Sequence, residues 1–152
     1  MNKLVLILLI LTLSGCGNKA HRTGSRSKPP GLPANLELGT STTEEIKNEM
    51  GEPTVTYAVM GEATVINYKD NRAFKLDQGV AKGFFRDPTK EESSLQYWLQ
   101  KWKDKRTKQE TIQESRNAHG QFDYQLICEE DNTTIIYNNE NGVVKRVMYY
   151  EK

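Results

Sequence analysis

The 152-residue chain has few of the residues that build common catalytic and metal sites. It contains two cysteines and two histidines, and no Cys/His group has the spacing of a metal site. No glycine-rich phosphate-binding loop precedes a helix. The longest apolar run, residues 4–13, has ten residues, about half of what a membrane-spanning helix needs. We therefore expect no catalytic, cofactor-binding or metal-binding residues, and we predict that the protein is not an enzyme.

The start of the chain has the layout of a secretory signal. Lys3 precedes the apolar run, and Leu13-Ser14-Gly15-Cys16 follows with small residues where a cut would fall. This segment resembles the bacterial lipobox. The resemblance implies that residues 1–15 are removed, that the Cys16 sulfur receives a diacylglyceryl group, and that the new amine is acylated, as with palmitate. The alternative is an ordinary signal peptide with a chance cysteine.

The residues after Cys16 bear on where such a lipoprotein would reside. Gly17 and Asn18 follow it, and neither is the acidic residue that retains enteric lipoproteins at the inner membrane. The resemblance therefore implies a lipid anchor on the periplasmic face of the outer membrane, with the inner membrane as the alternative. Two acyl chains on one residue give firm attachment, because stable anchoring takes about two such signals.

Acidic residues are absent from the first 36 positions. Five of the 21 basic residues lie there, so residues 37–152 hold 16 basic against 20 acidic residues, a net charge of −4. Residues 16–36 are rich in Pro, Gly and Ser and predict a lipidated, disordered basic tether. Residues 37–152 predict a globular domain whose acidic charge argues against nucleic acid as a partner.

The domain opens with a short helix whose two ends are both marked in the sequence. Thr42 and Glu45 have the spacing of a capping box, and Ile46 and Met50 form one apolar stripe. Gly51 can adopt the positive φ that ends a helix, and the proline at position 53 prevents its continuation.

Short β-rich runs with Gly and Asn turns follow this helix and predict an antiparallel meander. The runs are residues 55–59, 63–69, 72–77 and 80–85. Residues 88–105 then predict an amphipathic helix, since Leu95, Trp98, Leu99 and Trp102 recur at helical spacing. We expect the two tryptophans to pack in the core, and a partner-binding stripe is the alternative.

Parts of the first pattern return in the second half. Residues 111–120 align with 42–51 at four identical positions, including a second capping box of Thr111 with Glu114, and residues 142–145 match 79–82. Strand-like runs lie between them at 122–129, 133–137 and 143–150. The predicted fold class is α+β: short helices packed on one face of an antiparallel sheet, in a duplicated helix-plus-strands unit. The units are residues 37–86 and 107–152, joined by the helix at 88–105.

Three acidic or thiol features have structural interpretations. Cys128 lies in a strand-like run and is interpreted as a small buried residue. Glu91 and Glu92 are expected to be exposed. The three acids at positions 129–131 are expected to form a solvated turn, with a bound cation as the alternative.

The first helix also carries a family resemblance. The pattern Thr42-x-x-x-Ile46-x-x-x-Met50-Gly51-x-Pro53, followed by aromatic-bearing strands, resembles the SmpA/OmlA (BamE-type) outer-membrane lipoproteins. Gly39 lies one place too early for that pattern, so the turn before the helix must differ. A tandem arrangement of this unit is similar to the β-lactamase-inhibitor protein. The matching positions are caps and core, so no binding residue is transferred through them.

Two functions follow from these observations. The first is a lipid-anchored, non-catalytic module that docks on an envelope protein, in outer-membrane protein assembly or envelope integrity. The alternative is a periplasmic inhibitor or binding module that blocks an envelope enzyme through its sheet face. Both require the membrane, reached through the N-terminal lipid, and an envelope protein partner.

Overall fold

The computed structural model of the protein describes residues 28–59, 63–116 and 122–152. Within these ranges the chain forms two short helices and eight strands. The helices are α1 (Thr43–Met50) and α2 (Leu95–Lys101). The strands are β1 (Val55–Ala58), β2 (Ala63–Asn67), β3 (Ala73–Asp77), β4 (Val80–Arg86), β5 (Thr107–Arg116), β6 (Phe122–Cys128), β7 (Thr133–Asn138) and β8 (Val144–Tyr150).

All eight strands belong to one antiparallel sheet. Their order is β1-β2-β3-β4-β8-β7-β6-β5, so two consecutive four-stranded meanders meet where β4 pairs with β8. The protein is therefore mainly β, and the predicted α+β class is wrong.

The second capped helix predicted at residues 111–120 is also wrong. Residues up to Arg116 belong to β5, which pairs with β6 over the register from Thr107–Cys128 to Arg116–Phe122. Residues 117–120 lie outside the described ranges. A Thr-x-x-Glu spacing indicates a helix start only where an apolar stripe follows. Here the sequence has Ser115 and His119 at the positions that correspond to Ile46 and Met50 in α1. A helix would therefore lack the apolar stripe that packs α1, and strand pairing is favoured instead.

Helix α1 begins and ends where the sequence predicts. The Thr42 hydroxyl accepts from the Glu45 amide at 3.3 Å, and the Glu45 carboxylate accepts from the Thr42 amide at 2.8 Å, which confirms the capping box. Ile46 is fully buried. Gly51 has φ +83°, as predicted, but its ψ of −168° is extended and not left-handed helical.

We expect Gly51→Val to destabilise the protein by roughly 1 kcal/mol or more, because a β-branched residue is strained at positive φ. A new Cβ at Gly51 would meet nothing within 4 Å, so the effect isolates backbone strain from steric clash. Chemical denaturation checks it, and Gly51→Ala should show a loss as well, because a positive φ with an extended ψ is a conformation essentially restricted to glycine. Equal stability of the two variants and the parent would contradict the assignment of the cap.

Helix α2 is shorter than the predicted helix at 88–105. Ser94 caps it by accepting from the Gln96 amide at 3.2 Å. Trp98 and Trp102 are buried in the core, as predicted, whereas Leu99 is 45% exposed. The residues before Ser94 are used instead in the turn that brings Glu92 to Arg86.

The two halves of the sheet repeat one hydrogen-bonding plan. The N-cap residues of both helices form isolated antiparallel bridges, Thr42 with Val80 and Ser94 with Val143. The helix of the second half is therefore α2. A β-bulge with a lysine as the extra residue interrupts both β4, at position 82, and β8, at position 145. These are the segments 79–82 and 142–145 that match in sequence.

An approximate two-fold axis passes through the sheet at its centre. The β4–β8 register is symmetric about the Phe85–Met148 pair. The turns before β3 and β7 also correspond, because each carries an Asp-Asn pair with Asn71 at φ +62° and Asn132 at φ +48°. Asp70 and Asp131 are thus equivalent positions, each directly before the positive-φ asparagine of its turn.

One core lies between the helices and one face of the sheet. It contains Ile46 from α1, Trp98 from α2, Trp102 directly after α2, and the strand residues that point toward the helices. Leu32 and Leu36 also belong to it, at 7% and 2% exposure. The packed part of the chain therefore begins before the predicted domain boundary at residue 37.

A buried ion pair ties the N-terminal segment to the sheet. The Arg86 guanidinium makes two hydrogen bonds to Glu92, at 2.6 and 2.8 Å, and donates to the Tyr149 hydroxyl at 2.6 Å. Its Nε donates to the Pro30 carbonyl at 2.8 Å. Glu92 is 7% exposed, so the prediction that it is exposed is wrong: the sequence does not reveal a partner six residues away.

The acid stability of the protein should depend on Glu92. Burial would raise the pKa of this carboxyl, but hydrogen bonds from Arg86 and Thr89 outweigh it and lower the pKa to about 2. Because the folded-state pKa lies below that of the unfolded chain, the stabilisation is present above about pH 4.5 and is lost as pH falls toward 2. We expect a loss of about 3 kcal/mol over this window. Unfolding of Glu92→Gln at each pH is the control, since this variant should lack that part of the pH dependence.

Two further observations concern features raised by the sequence. Cys128 is fully buried in the core, as predicted. None of the helices in the described ranges is long and apolar enough to cross a membrane.

Candidate docking surface

The sheet has a second face that is separate from the core. Side chains alternate along each strand, so the residues between the core positions point away from the helices. None of them belongs to the core cluster that contains Ile46, Trp98, Leu32 and Leu36. We call this side the open face, and its apolar members include Val55, Tyr57, Val65, Ala73, Phe85, Met148, Tyr150, Ile136 and Ile127. Three of them, Val65, Ala73 and Met148, are buried between their neighbours at 4%, 1% and 9% exposure.

The centre of the open face is an aromatic and thioether cluster on the approximate two-fold axis. The Phe85 and Tyr150 rings lie edge to face with centroids 5.9 Å apart. The Tyr150 hydroxyl donates to the Met148 sulfur at 3.6 Å, and burial raises the pKa of Tyr150. The rings reach this position over Gly83, where a Cβ would stand 3.1 Å from the Phe85 ring.

The apolar surface continues outward to β1, an edge strand. Val55 is 54% exposed and Tyr57 is 47% exposed. Tyr57 lies in the same cross-strand row as Val65, which is buried between its neighbours. A large exposed aromatic beside a packed apolar centre is the kind of patch that marks interaction sites.

Charged groups surround this apolar centre. Lys145 makes two contacts to the Asp123 carboxylate at 2.7 and 2.9 Å, and Lys108 pairs with Glu110 on β5. Arg146 donates to the Asn71 carbonyl at 2.8 Å. The arrangement of an apolar middle and a polar rim is that of protein–protein interfaces.

The predicted site residues have two different outcomes. The lipid-attachment residue Cys16 lies outside the described residues, so its modification stays a prediction. Burial raises the pKa of the Cys128 thiol, which makes it a poor nucleophile at neutral pH. In the described ranges no three His, Cys, Asp or Glu side chains lie close enough to hold a metal ion. Among the acids at 129–131, the Asp131 carboxylate accepts hydrogen bonds from Trp102 and Lys105.

The residues of the open face were not identified from the sequence, which indicated only a sheet face as the binding surface of the alternative function, although their signal is present. The alternation of Val65 with Ile66 and of Phe85 with Phe84 leaves apolar residues on both sides of the strands. An antiparallel sheet commonly packs only one face on the core, and among the residues that the structure describes α1 and α2 lie on the core side.

No family model matches the chain, and neither the curated proteins nor the solved structures provide a match. The likeness to SmpA/OmlA lipoproteins and to the β-lactamase-inhibitor protein therefore stays a hypothesis that depends on the residues quoted above.

Proposed function

We propose that the protein is a lipid-anchored, non-catalytic docking module that binds an envelope protein through its open face. The observation that carries this proposal is the apolar centre of that face, formed by Phe85, Met148 and Tyr150 and separate from the core. Aromatic and methionine side chains are enriched at the centres of interfaces, with a polar rim that excludes water around them. Tyr57 and Val55 widen the surface on one side.

The anchor and the surface have complementary roles in this proposal. A lipid on Cys16 confines the domain near the membrane, so its effective concentration toward membrane partners is high and a weak interface suffices. The lipid supplies location, and the open face supplies recognition. The outer membrane, facing the periplasm, is the site that the residues after Cys16 favour.

The inhibitor function uses the same surface in a different way. An apolar face with an aromatic centre would also cover the active-site entrance of an envelope enzyme. Tight 1:1 binding to a single soluble hydrolase would favour the inhibitor, whereas a stable complex with an envelope assembly, captured by mild crosslinking, would favour the docking module.

The anchor is tested by mass spectrometry of the mature N-terminus. We expect a diacylated, N-acylated Cys16 in the wild type and no acylation in Cys16→Ser. An unmodified Cys16, or a mature chain that starts elsewhere, would exclude the lipid anchor.

The open face is tested by introducing a charge into it. We expect Phe85→Asp to abolish complementation of a deletion strain, because an aspartate at an interface centre is desolvated on binding without a partner. Tyr57→Asp tests the same face at an exposed position that the fold does not require. Leu99→Asp is the matched control, since Leu99 has nearly the same exposure as Tyr57 but lies on α2. Full function of both open-face variants at native abundance would refute the proposal.

A further inference from the structure

Strand β1 is an edge of the sheet whose outer side is open. It lies at one end of the strand order, and among the residues that the structure describes no strand pairs beyond it. All four of its residues are exposed, so β1 is held by its pairing with β2 and not by packing against the helices. An exposed edge of this kind is a template for pairing with a further strand.

The outward backbone groups of β1 are those of Thr56 and Ala58. The Val59 amide donates to the Ala63 carbonyl at 3.0 Å, directly after the paired residues of the strand. Hydrogen-bonded positions alternate along an antiparallel pair, so the peptide groups of Tyr57 face β2 and those of Thr56 and Ala58 face away from it. The N–H and C=O groups of both residues thus point outward at the spacing that another strand uses.

The opposite edge of the sheet, β5, is protected where β1 is not. The strand order makes the two edges equivalent about the approximate two-fold axis. On β5 the Lys108 ammonium pairs with the Glu110 carboxylate, and a bulge interrupts the pairing with β6 after Ile112. Charged side chains and bulges keep edge strands from pairing with another chain. Residues 54–59 have no charge, and the pairing of β1 with β2 runs without a register shift.

The apolar side chains of β1 connect this edge to the open face. Val55 and Tyr57 point to that face, and Tyr57 lies opposite the buried Val65. A four-residue edge alone is too small for a specific interface, which covers at least about 1,000 Å² in total. Edge-to-edge pairing of two copies would extend the sheet sideways and leave both open faces uncovered. The occupant must therefore reach the open face as well as the edge.

We infer that an extended segment of the envelope partner adds to the sheet as an antiparallel strand beside β1, hydrogen-bonded to Thr56 and Ala58. The inference rests on the proposed docking function and specifies how the partner is held. The segment is a polypeptide because a peptide backbone presents donors and acceptors at this spacing, as in other cases of strand addition. It is uncharged where it pairs, and its apolar side chains lie beside Val55 and Tyr57.

Amide hydrogen exchange tests the pairing, followed by NMR of the full-length protein in detergent micelles. The probe is a synthetic peptide of alternating valine and threonine, with a lysine at each end for solubility. At about ten times its Kd, the peptide should slow exchange of the Thr56 and Ala58 amides about tenfold. The amides of β5, the charged edge, should exchange as before. Unchanged exchange at Thr56 and Ala58 would overturn the inference.

Two N-methylated forms of the peptide separate backbone pairing from side-chain contact. In an antiparallel strand whose valines lie beside Val55 and Tyr57, the threonines exchange hydrogen bonds with Thr56 and Ala58. N-methylation of the threonines should weaken binding about tenfold or more, whereas N-methylation of the valines, whose N–H groups point away, should change the Kd by less than about twofold. Equal Kd values for the two forms would contradict strand addition.

A proline in β1 removes an outward N–H and leaves the ladder with β2 in place. Proline is tolerated on an edge strand where its N–H would face solvent, so Ala58→Pro should fold and yet lose binding of the peptide. Ala58→Val keeps the N–H and is the control. In cells, a photoreactive amino acid at Val55 should crosslink an envelope protein in the Ala58→Val strain and not in the Ala58→Pro strain.

The outcomes separate this inference from the proposed function. Crosslinking that survives Ala58→Pro but is lost with Phe85→Asp would mean docking through the open face without strand addition, and would overturn the inference alone. Protection by the peptide with no crosslinked envelope protein would contradict the docking function and leave the edge as a site of strand addition. Protection of Thr56 and Ala58 that rises with protein concentration in the absence of peptide would identify a second copy as the occupant and overturn the assignment to a partner.

Discussion

Arg86→Met will destabilise the protein by about 3–5 kcal/mol, the usual effect of removing one partner of a buried ion pair. The Glu92 carboxylate would be left buried, with hydrogen bonds from Thr89 but no compensating charge. The Tyr149 hydroxyl and the Pro30 carbonyl would lose the donor that joins them. Chemical denaturation measures the loss, and proteolysis near residue 30 should accelerate in the same variant.

A double variant separates the charge from the packing. Replacing both members, Arg86→Met with Glu92→Leu, removes the uncompensated charge, and such exchanges of buried pairs are often neutral or stabilising. We therefore expect the double variant to be more stable than Arg86→Met alone. A single variant as stable as the wild type would mean that the pair does not hold the N-terminal segment in solution.

Trp98→Ala will also have a large effect, about 3–5 kcal/mol. Trp98 is 1% exposed, its ring lies 4.9 Å from the Trp102 ring, and its Nε1 donates to the Glu92 carbonyl at 2.8 Å. Removing the indole leaves a large cavity and a carbonyl without its donor. The loss also loosens the turn that positions Glu92, so acid sensitivity should change along with stability.

Leu99→Ala is the control for this prediction. It removes an apolar side chain from the next position of the same helix, but one that is 45% exposed, and exposed positions usually change stability by less than about 0.5 kcal/mol. Equal effects of the two substitutions would mean that α2 packs on the sheet through a different side.

Helix α1 could be predicted because its determinants are local. The capping box, the apolar stripe and the terminal glycine all lie within ten residues, and the structure contains all three. Strands β1–β4 could be predicted for the same reason, since Gly and Asn turns separate short β-rich runs.

The second half was harder because its determinants are not local. The capping-box spacing at Thr111 and Glu114 is present in the sequence, but the pairing of β5 with β6 decides the conformation there. The match between residues 79–82 and 142–145 correctly located corresponding segments of β4 and β8. It did not reveal that the helix belonging to β5–β8 lies before them, at α2.

The candidate sites depend on long-range geometry even more strongly. Phe85 and Met148, for example, are 63 positions apart. Only the register of the sheet brings such residues together. Glu92 shows the same limit, since nothing beside it in the chain indicates that it is buried against Arg86. The predicted anchor is the opposite case, because Cys16 and the residues before it form a purely local sequence pattern, and it stays a prediction.

Site-specific photocrosslinking in living cells tests whether the open face contacts an envelope protein. A photoreactive amino acid is placed at Tyr57 in one strain and at Leu99 in another, two positions of nearly equal exposure on opposite sides of the sheet. We predict one dominant crosslinked envelope protein from position 57, lost when Phe85→Asp is added, and none from position 99. Equal crosslinking from both positions, or crosslinking from position 99 alone, would contradict docking through the open face.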